Sequence, residues 1–184
     1  MKDDRIFFPE NPWPEGHGIK EFSWTAEIID SSIWFHFDLQ SDNYYAEREI
    51  EDDEDTECSD WEAPIVWGNY HACTISSNQW HAGGFKVCSV ADFSLERLDG
   101  MQFHIDPLPL NLREHDPEQL AFHTYLLGHD TVVDHQIAFH RISGTDLFNI
   151  VWSGKIALTY AGHYEPDHEF HAKIHSLVVP SFSI

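Results

Sequence analysis

Positively charged residues are scarce in this sequence. Its 184 residues include 10 Lys and Arg against 32 Asp and Glu, which gives a formal net charge of −22 at pH 7 with histidine neutral. Nucleic-acid-binding proteins use clustered Lys and Arg to displace counterions from phosphates, and no two basic residues are adjacent here. We therefore expect neither nucleic acid nor an anionic membrane surface as a ligand.

Cysteines and long apolar runs are also few. Cys58, Cys73 and Cys88 are too few and too widely spaced for a disulfide framework and form no C-x-x-C pair, which favours a reducing compartment. The first five residues carry acids where a secretory signal has a cationic start, so we expect a cytoplasmic protein. The longest uncharged stretch, residues 63–85, contains Pro, Asn, Gln and His, and so predicts no membrane-spanning helix.

The chain does contain enough apolar material for one core, since hydrophobic residues make up 42% and aromatic residues 14%. Residues 1–18 are rich in Pro and Gly, and we expect them to lie as an arm on a single β-rich domain over residues 19–184. Nine of the fourteen residues 47–60 are acidic, which predicts an extended acidic loop.

Alternation of apolar and polar residues is the main structural signal. It predicts a hairpin from Lys20–Ile28 and Ile33–Leu39, and a long strand over Phe148–Tyr160 with a bulge or bend at Gly154. Weaker signals predict strands over residues 63–67, 70–75, 85–90, 101–105 and 132–142, and short helices over residues 92–99 and 117–127. Apolar residues in 169–179 fit both the two-residue period of a strand and the 3.6-residue period of a helix, and we favour a strand.

These elements predict a mainly β fold, either an antiparallel β-sandwich or a partly open β-barrel with one or two short helices. The alternative is an α+β fold with a C-terminal helix over residues 169–179.

Two groups of residues are candidate metal ligands. His168, His171 and His175 lie close in sequence beside Asp167; one helical turn would bring His171 and His175 together, whereas a strand would separate them by about 13 Å. The pairs His36 with Asp38 and His104 with Asp106 each share one face of a predicted strand, and they could form a mixed site if their strands were neighbours. We expect solvated polar faces and no cofactor, with a divalent metal as the alternative.

No motif for nucleophilic catalysis or nucleotide binding is present: the sequence lacks a G-x-S-x-G elbow, a P-loop and a complete dinucleotide loop. The most informative pattern is the acidic run Glu51, Asp52, Asp53, Glu54 and Asp55, which could steer a basic protein toward the domain, with Trp34 and Trp61 as contact residues.

We therefore expect an acidic cytosolic binding protein that neutralises a basic protein partner. The immunity proteins of toxin systems neutralise a protein partner in this way, and this chain is analogous to them only in charge and size. The alternatives are a metal-dependent enzyme with His and Asp ligands on strands, or a sugar- or peptide-binding β module that uses Trp13, Trp34, Trp61 or Trp80.

Overall fold

Ten strands and one short helix make up the regular structure of the described residues. The computed structural model describes residues 4–47, 61–77 and 83–182. The strands are β1 (Arg5–Phe7), β2 (His17–Ile29), β3 (Ser32–Ser41), β4 (Thr74–Ser76), β5 (Phe85–Ser89), β6 (Gln102–Ile105), β7 (His123–Tyr125), β8 (His129–Arg141), β9 (Leu147–Ala157) and β10 (His168–Val178). The helix α1 spans Leu95–Leu98, and 3₁₀ turns span Pro64–Gly68, Val90–Asp92, Pro117–Gln119 and Thr159–Ala161.

Eight of the strands close into an antiparallel barrel in the order β2-β1-β10-β9-β8-β7-β4-β3, and β3 pairs back with β2. The β2–β3 hairpin turns through Asp30 and Ser31, both with positive φ (48° and 60°). Two central residues with positive φ match the right-handed twist of the flanking strands, which is why short polar residues occupy this turn. The predicted hairpin is confirmed.

The barrel wall is incomplete on one side. Strand β5 pairs with the first half of β3, and β6 pairs with the middle of β8. Within the described ranges no pairing joins β5 to β6, so two strand edges face one another across a groove. The fold is therefore mainly β, as predicted, and of the two predicted architectures it is the partly open barrel.

The barrel interior is filled by aromatic side chains. Trp152 lies at its centre, with ring centroids 4.8 Å from Phe122, 5.5 Å from Phe170 and 5.6 Å from Phe37, and none of the four is exposed to solvent. Eight strands enclose a space that side chains just fill. The interior is therefore a packed core and leaves no room for a ligand among these rings.

One polar residue lies within this core. His135 is completely buried, and its Nδ1 accepts a hydrogen bond of 3.2 Å from Nε1 of Trp152. A bulge between Val133 and Gln136, where Asp134 adopts a φ of 56°, turns the His135 ring inward against Gly154 on β9. Gly154 thus serves close packing inside a continuous strand.

Two predicted elements are wrong. Asp116 does cap a turn, since its side chain accepts the Glu118 N–H at 3.0 Å, but the turn ends at Gln119 and the expected helix over 117–127 is replaced by β7 and a turn. Phe122 and Leu126 are buried in the barrel core, and this tertiary packing overrides the local helix signal. The expected strand over 63–67 is a 3₁₀ turn that begins at Pro64.

Other predicted elements are present with altered bounds, and the strand expected over 70–75 is reduced to β4. Residues 169–179 form β10, so the C-terminal helix of the alternative fold is absent. The predicted helix over 92–99 shortens to α1, which is capped by the side chain of Ser94. Within the expected N-terminal arm, β1 pairs with both β10 and β2 and so belongs to the barrel. No helix in the described part of the chain is long and apolar enough to cross a membrane.

Substituting Gly154 tests the packing at the bulge. A Cβ at residue 154 would lie 2.7 Å from the Phe170 ring, 2.8 Å from Nδ1 of His135 and 3.1 Å from the Val133 carbonyl oxygen. We expect Gly154→Ala to lower the free energy of unfolding by about 1–3 kcal/mol, measured by urea denaturation.

Gly68→Ala is the matched control, because a Cβ there meets nothing within 4 Å. We expect its stability to stay within about 0.5 kcal/mol of the wild type. Equal stability of the two variants would contradict the close packing described at Gly154.

Candidate functional site

A cavity of about 640 Å³ opens at one end of the barrel. Three connections form its walls: the 3₁₀ turn after Trp61, the β7–β8 turn and the long β9–β10 connection. The described lining residues are Trp61, Val66, Asn69, Leu127, Asp130, Leu158, Tyr160, Ala161, His163, Glu165, Asp167 and His168. We refer to this space as the end cavity.

Tryptophan side chains hold the first wall in place. Trp61 donates from Nε1 to the Pro9 carbonyl at 2.8 Å, and Trp67 donates from Nε1 to the Trp61 carbonyl at 2.8 Å. His168, at the start of β10, stacks on the Trp61 ring with centroids 4.1 Å apart and planes 7° apart. These contacts tie two separate connections together, so the aromatic side of the end cavity is fixed before any ligand binds.

Asp130 organises the opposite wall. Its Oδ2 accepts hydrogen bonds from the backbone N–H groups of Leu127 at 3.1 Å and Gly128 at 3.0 Å, and its Oδ1 accepts a longer one of 3.4 Å from Tyr160 N–H. Burial raises the pKa of the Asp130 carboxyl above its usual value, and the three N–H donors oppose that rise. The side chain is 7% exposed, so a carboxylate is held at the edge of the end cavity with little solvation.

Tyr160 presents an aromatic ring beside this carboxylate. The ring lies directly against Gly128, where a Cβ would come within 2.3 Å of Tyr160 Cγ. Glycine at this position therefore lets the ring rest on the β7–β8 turn, while the residue remains 66% exposed. The end cavity thus offers one accessible aromatic ring in addition to the Trp61–His168 stack.

The charge of the lining is one-sided. Asp130, Glu165 and Asp167 are carboxylates, and no Lys or Arg occurs among the described lining residues. The other titratable lining groups in these ranges are Tyr160, His163 and His168. Burial lowers the pKa of His168, although Asp167, Glu10 and Asp130 raise it, and so the ring is largely neutral at pH 7.

Elsewhere on the barrel, four of the described cations form ion pairs with acids. Lys155 lies 3.5 Å from Asp134, and three arginines form ion pairs with carboxylates. The arginine pairs are Arg5–Glu47 at 2.8 Å, Arg97–Asp92 at 2.9 Å, and Arg141 with Glu96 at 3.3 Å and with Asp146. Arg113 stacks on Tyr164, whose ring centroid lies 4.6 Å from the guanidinium carbon, outside the cavity lining. The end cavity is therefore a place where negative charge is left without a basic side chain.

The histidines of β10 are separated, as a strand requires. His168 stacks on Trp61, His171 lies 3.4 Å from Glu169, and His175 contacts Asp4 at 2.8 Å. Within the described ranges no group of three His, Cys, Asp or Glu residues is arranged to hold a metal ion. Metal binding by these histidines stays a prediction.

The two His-x-Asp pairs lie on strands that are not paired with each other. His36 on β3 contacts Glu27 at 2.8 Å, and His104 on β6 contacts Asp134 at 2.7 Å. Asp106 accepts a hydrogen bond of 2.8 Å from Ala121 N–H, and burial raises the pKa of Asp38. His36, His104 and Asp106 thus each contact a different residue of the barrel wall.

One groove brings together three of the residues named from the sequence, Trp34, His104 and Asp106. They line the groove between β5 and β6, which has a volume of about 500 Å³ and also includes Lys86 and Glu118. Trp13 and Trp61 are each 4% exposed and pack at the barrel end, so they form no flat platform with Trp34. Trp80 and the acidic run Glu51–Asp55 lie outside the described residues.

Sequence analysis named Trp61, Asp167 and His168 but missed other residues of the end cavity, including Asp130, Tyr160 and Asn69. Asn69 donates from Nδ2 to the Leu127 carbonyl at 2.7 Å and joins two of the walls. The sequence offered one signal, which is the density of acidic and aromatic residues around Gly162. The spacing of residues along the sequence does not show that the three connections of the end cavity meet at one end of the barrel.

Comparison with known proteins adds no family or relative. No family model matches the chain, and neither the curated proteins nor the solved structures yield a match. The functional argument therefore depends on the end cavity and on the charge of the chain.

A second buried histidine lies next to this end of the barrel. His17 is 3% exposed, packed among Trp13, Tyr44 and Trp67, and burial lowers its pKa to about 4. Unfolding restores a pKa near 6.5, so the unfolded chain binds a proton at His17 that the folded chain does not. This linkage removes stability as the pH falls from about 6.5 toward 4, at about 1.4 kcal/mol per pH unit.

Comparing wild type with His17→Gln at several pH values isolates this effect, because all other titrating groups are common to both proteins. We expect the variant to lose less stability than the wild type between pH 6.5 and 4, measured by urea denaturation. Parallel pH profiles for the two proteins would contradict the neutral, buried state of His17.

Proposed function

We propose that this protein binds and neutralises a basic protein partner through the acidic barrel end that contains the end cavity. The observation that carries the proposal is a cavity lined by three carboxylates without a single described Lys or Arg. Such a site attracts cations, and its aromatic walls provide the contact area that partner surfaces use.

The barrel interior gives indirect support. Because aromatic rings fill it, a ligand would have to bind outside the core, at an end or along a groove. The β5–β6 groove already contains both signs of charge, Lys86 beside Glu118 and Asp106. The end cavity, at about 640 Å³, combines a larger volume with carboxylates and no described Lys or Arg.

Long-range electrostatics supports the same partner class. A net charge of −22 steers basic proteins toward the molecule before contact, and it repels phosphate-rich partners. The acid-dense segment 47–60 is joined directly to Trp61, a lining residue of the end cavity. We propose that its charge adds to the field that a basic partner meets at this end.

Neutralising the rim of the end cavity tests the site. Glu165→Gln with Asp167→Asn removes two exposed carboxylates, and we expect binding of an acetylated, arginine- and lysine-rich peptide to weaken about three- to tenfold. Isothermal titration calorimetry measures this affinity. The loss should shrink as salt is raised, since exposed charges are screened within about 8 Å at physiological ionic strength.

Glu21→Gln with Asp30→Asn is the control, because it removes the same charge from exposed positions outside the cavity lining. We expect it to change the affinity by less than about twofold. Equal losses in both double variants would indicate a diffuse charge effect and would count against the end cavity as the contact site.

The acidic run can be tested separately through its rate effect. Replacing Glu51, Asp52, Asp53, Glu54 and Asp55 by their amides should slow association with the same peptide about tenfold at low salt, measured by stopped-flow tryptophan fluorescence. The dissociation rate should change little, because steering acts before docking. An unchanged association rate would exclude these five residues from partner capture.

A further inference from the structure

The end cavity contains one carboxylate that differs from the others. Glu165 and Asp167 are exposed on the rim, whereas Asp130 is 7% exposed and held by the β7–β8 turn. No Lys or Arg forms an ion pair with Asp130 in the described ranges, although His129 interacts with it electrostatically. A buried carboxylate without a basic partner is unfavourable, and a cation from a ligand would stabilise it.

The two oxygens of Asp130 are not equivalent. Oδ2 already accepts two backbone N–H groups at 3.1 and 3.0 Å, and its acceptor capacity is used. Oδ1 accepts only the 3.4 Å contact from Tyr160, so it can take a further donor. Asp130 therefore offers a single acceptor atom rather than two parallel ones.

This asymmetry distinguishes between cationic side chains. An arginine fork binds a carboxylate best through two parallel N–H···O bonds, which need both oxygens. A primary ammonium is a compact charge with three donors and can use one acceptor fully. The Asp130 geometry favours the ammonium group.

The walls of the end cavity can also contact the methylene stem of a lysine side chain. Leu127 and Leu158 provide apolar surface on which a methylene stem can pack, and Tyr160 presents an exposed ring beside the carboxylate. A cation over a tyrosine ring gains a further attraction, as Arg113 already does on the neighbouring Tyr164.

We propose that the end cavity receives a single primary ammonium group, the lysine side chain of the basic partner, with Oδ1 of Asp130 as its acceptor. This inference rests on the proposed function and specifies the ligand chemistry of the same site. A free amino terminus carries the same chemistry, but the long apolar wall favours the lysine stem.

The test compares peptides of equal charge. One probe is an acetylated, amidated peptide of glycine and arginine with a single central lysine, and the second has arginine at that position. We expect the lysine peptide to bind about tenfold more tightly, measured by calorimetry. A third peptide with norleucine at that position should bind more weakly than both, and a fourth, without lysine but with a free amino terminus, should bind no better than its acetylated form.

Asp130→Asn is the decisive variant. The asparagine oxygen can still accept the Leu127 and Gly128 N–H groups, which preserves the turn, while the charge is removed. We expect the lysine preference to disappear in this variant and to persist in the Glu21→Gln, Asp30→Asn control. Should Asp130→Asn fail to fold, Tyr160→Leu is the second variant, because Tyr160 is largely exposed, and the preference should fall at least threefold.

The outcomes separate the two proposals. Equal binding of the lysine and arginine peptides, or a lysine preference that survives Asp130→Asn, would overturn the ammonium site while leaving basic-partner binding in place. A better response to the free amino terminus would identify that group as the ligand and overturn the lysine assignment. No binding of any basic peptide would overturn the proposed function itself.

Discussion

Aromatic packing inside a small, partly open barrel is the constraint on which the rest of this structure depends. Trp152, Phe37, Phe122 and Phe170 fill the space that eight strands enclose, so the interior stabilises the fold and contributes no ligand site. The buried polar residue His135 is neutral, hydrogen-bonded to Trp152 through Nδ1 and fitted against Gly154. Any binding chemistry must therefore lie in the connections at the barrel ends or in the gap between β5 and β6.

The connections at the barrel end also place carboxylates where no described Lys or Arg neutralises them. Along the barrel wall, Arg97, Arg141 and Lys155 each lie beside carboxylates, which balances part of the negative surface locally. At the end cavity the carboxylates have no such counterpart among the described lining residues, and Asp130 is held there with little solvation. That arrangement costs stability in the free protein, and under the proposed function a bound cation would restore it.

The long strands β2, β3 and β9 could be predicted from the sequence because period-two alternation reports directly which residues face the core. The residues of β10 fitted the helical period as well, so the sequence only favoured a strand there. The helix expected over 117–127 failed because the Asp116 cap is a local signal, and the burial of Phe122 in the barrel outweighs it. The end cavity could be predicted only in part: His168 and Asp167 stood out in the chain, but Asp130 and Trp61 reach them through tertiary contacts. No short stretch of the sequence shows the order of the strands in the sheet or which loops meet at the barrel end.

The central claim is that basic ligands bind at the barrel end, and backbone and indole NMR shifts observed during titration with a lysine-containing basic peptide test it most directly. The account predicts saturating shifts concentrated at Gly128, Asp130, Tyr160 and the residues from His163 to His168, with little change along the wall near Trp34. Shifts spread over all acidic surfaces, or concentrated in the groove between β5 and β6, would contradict it.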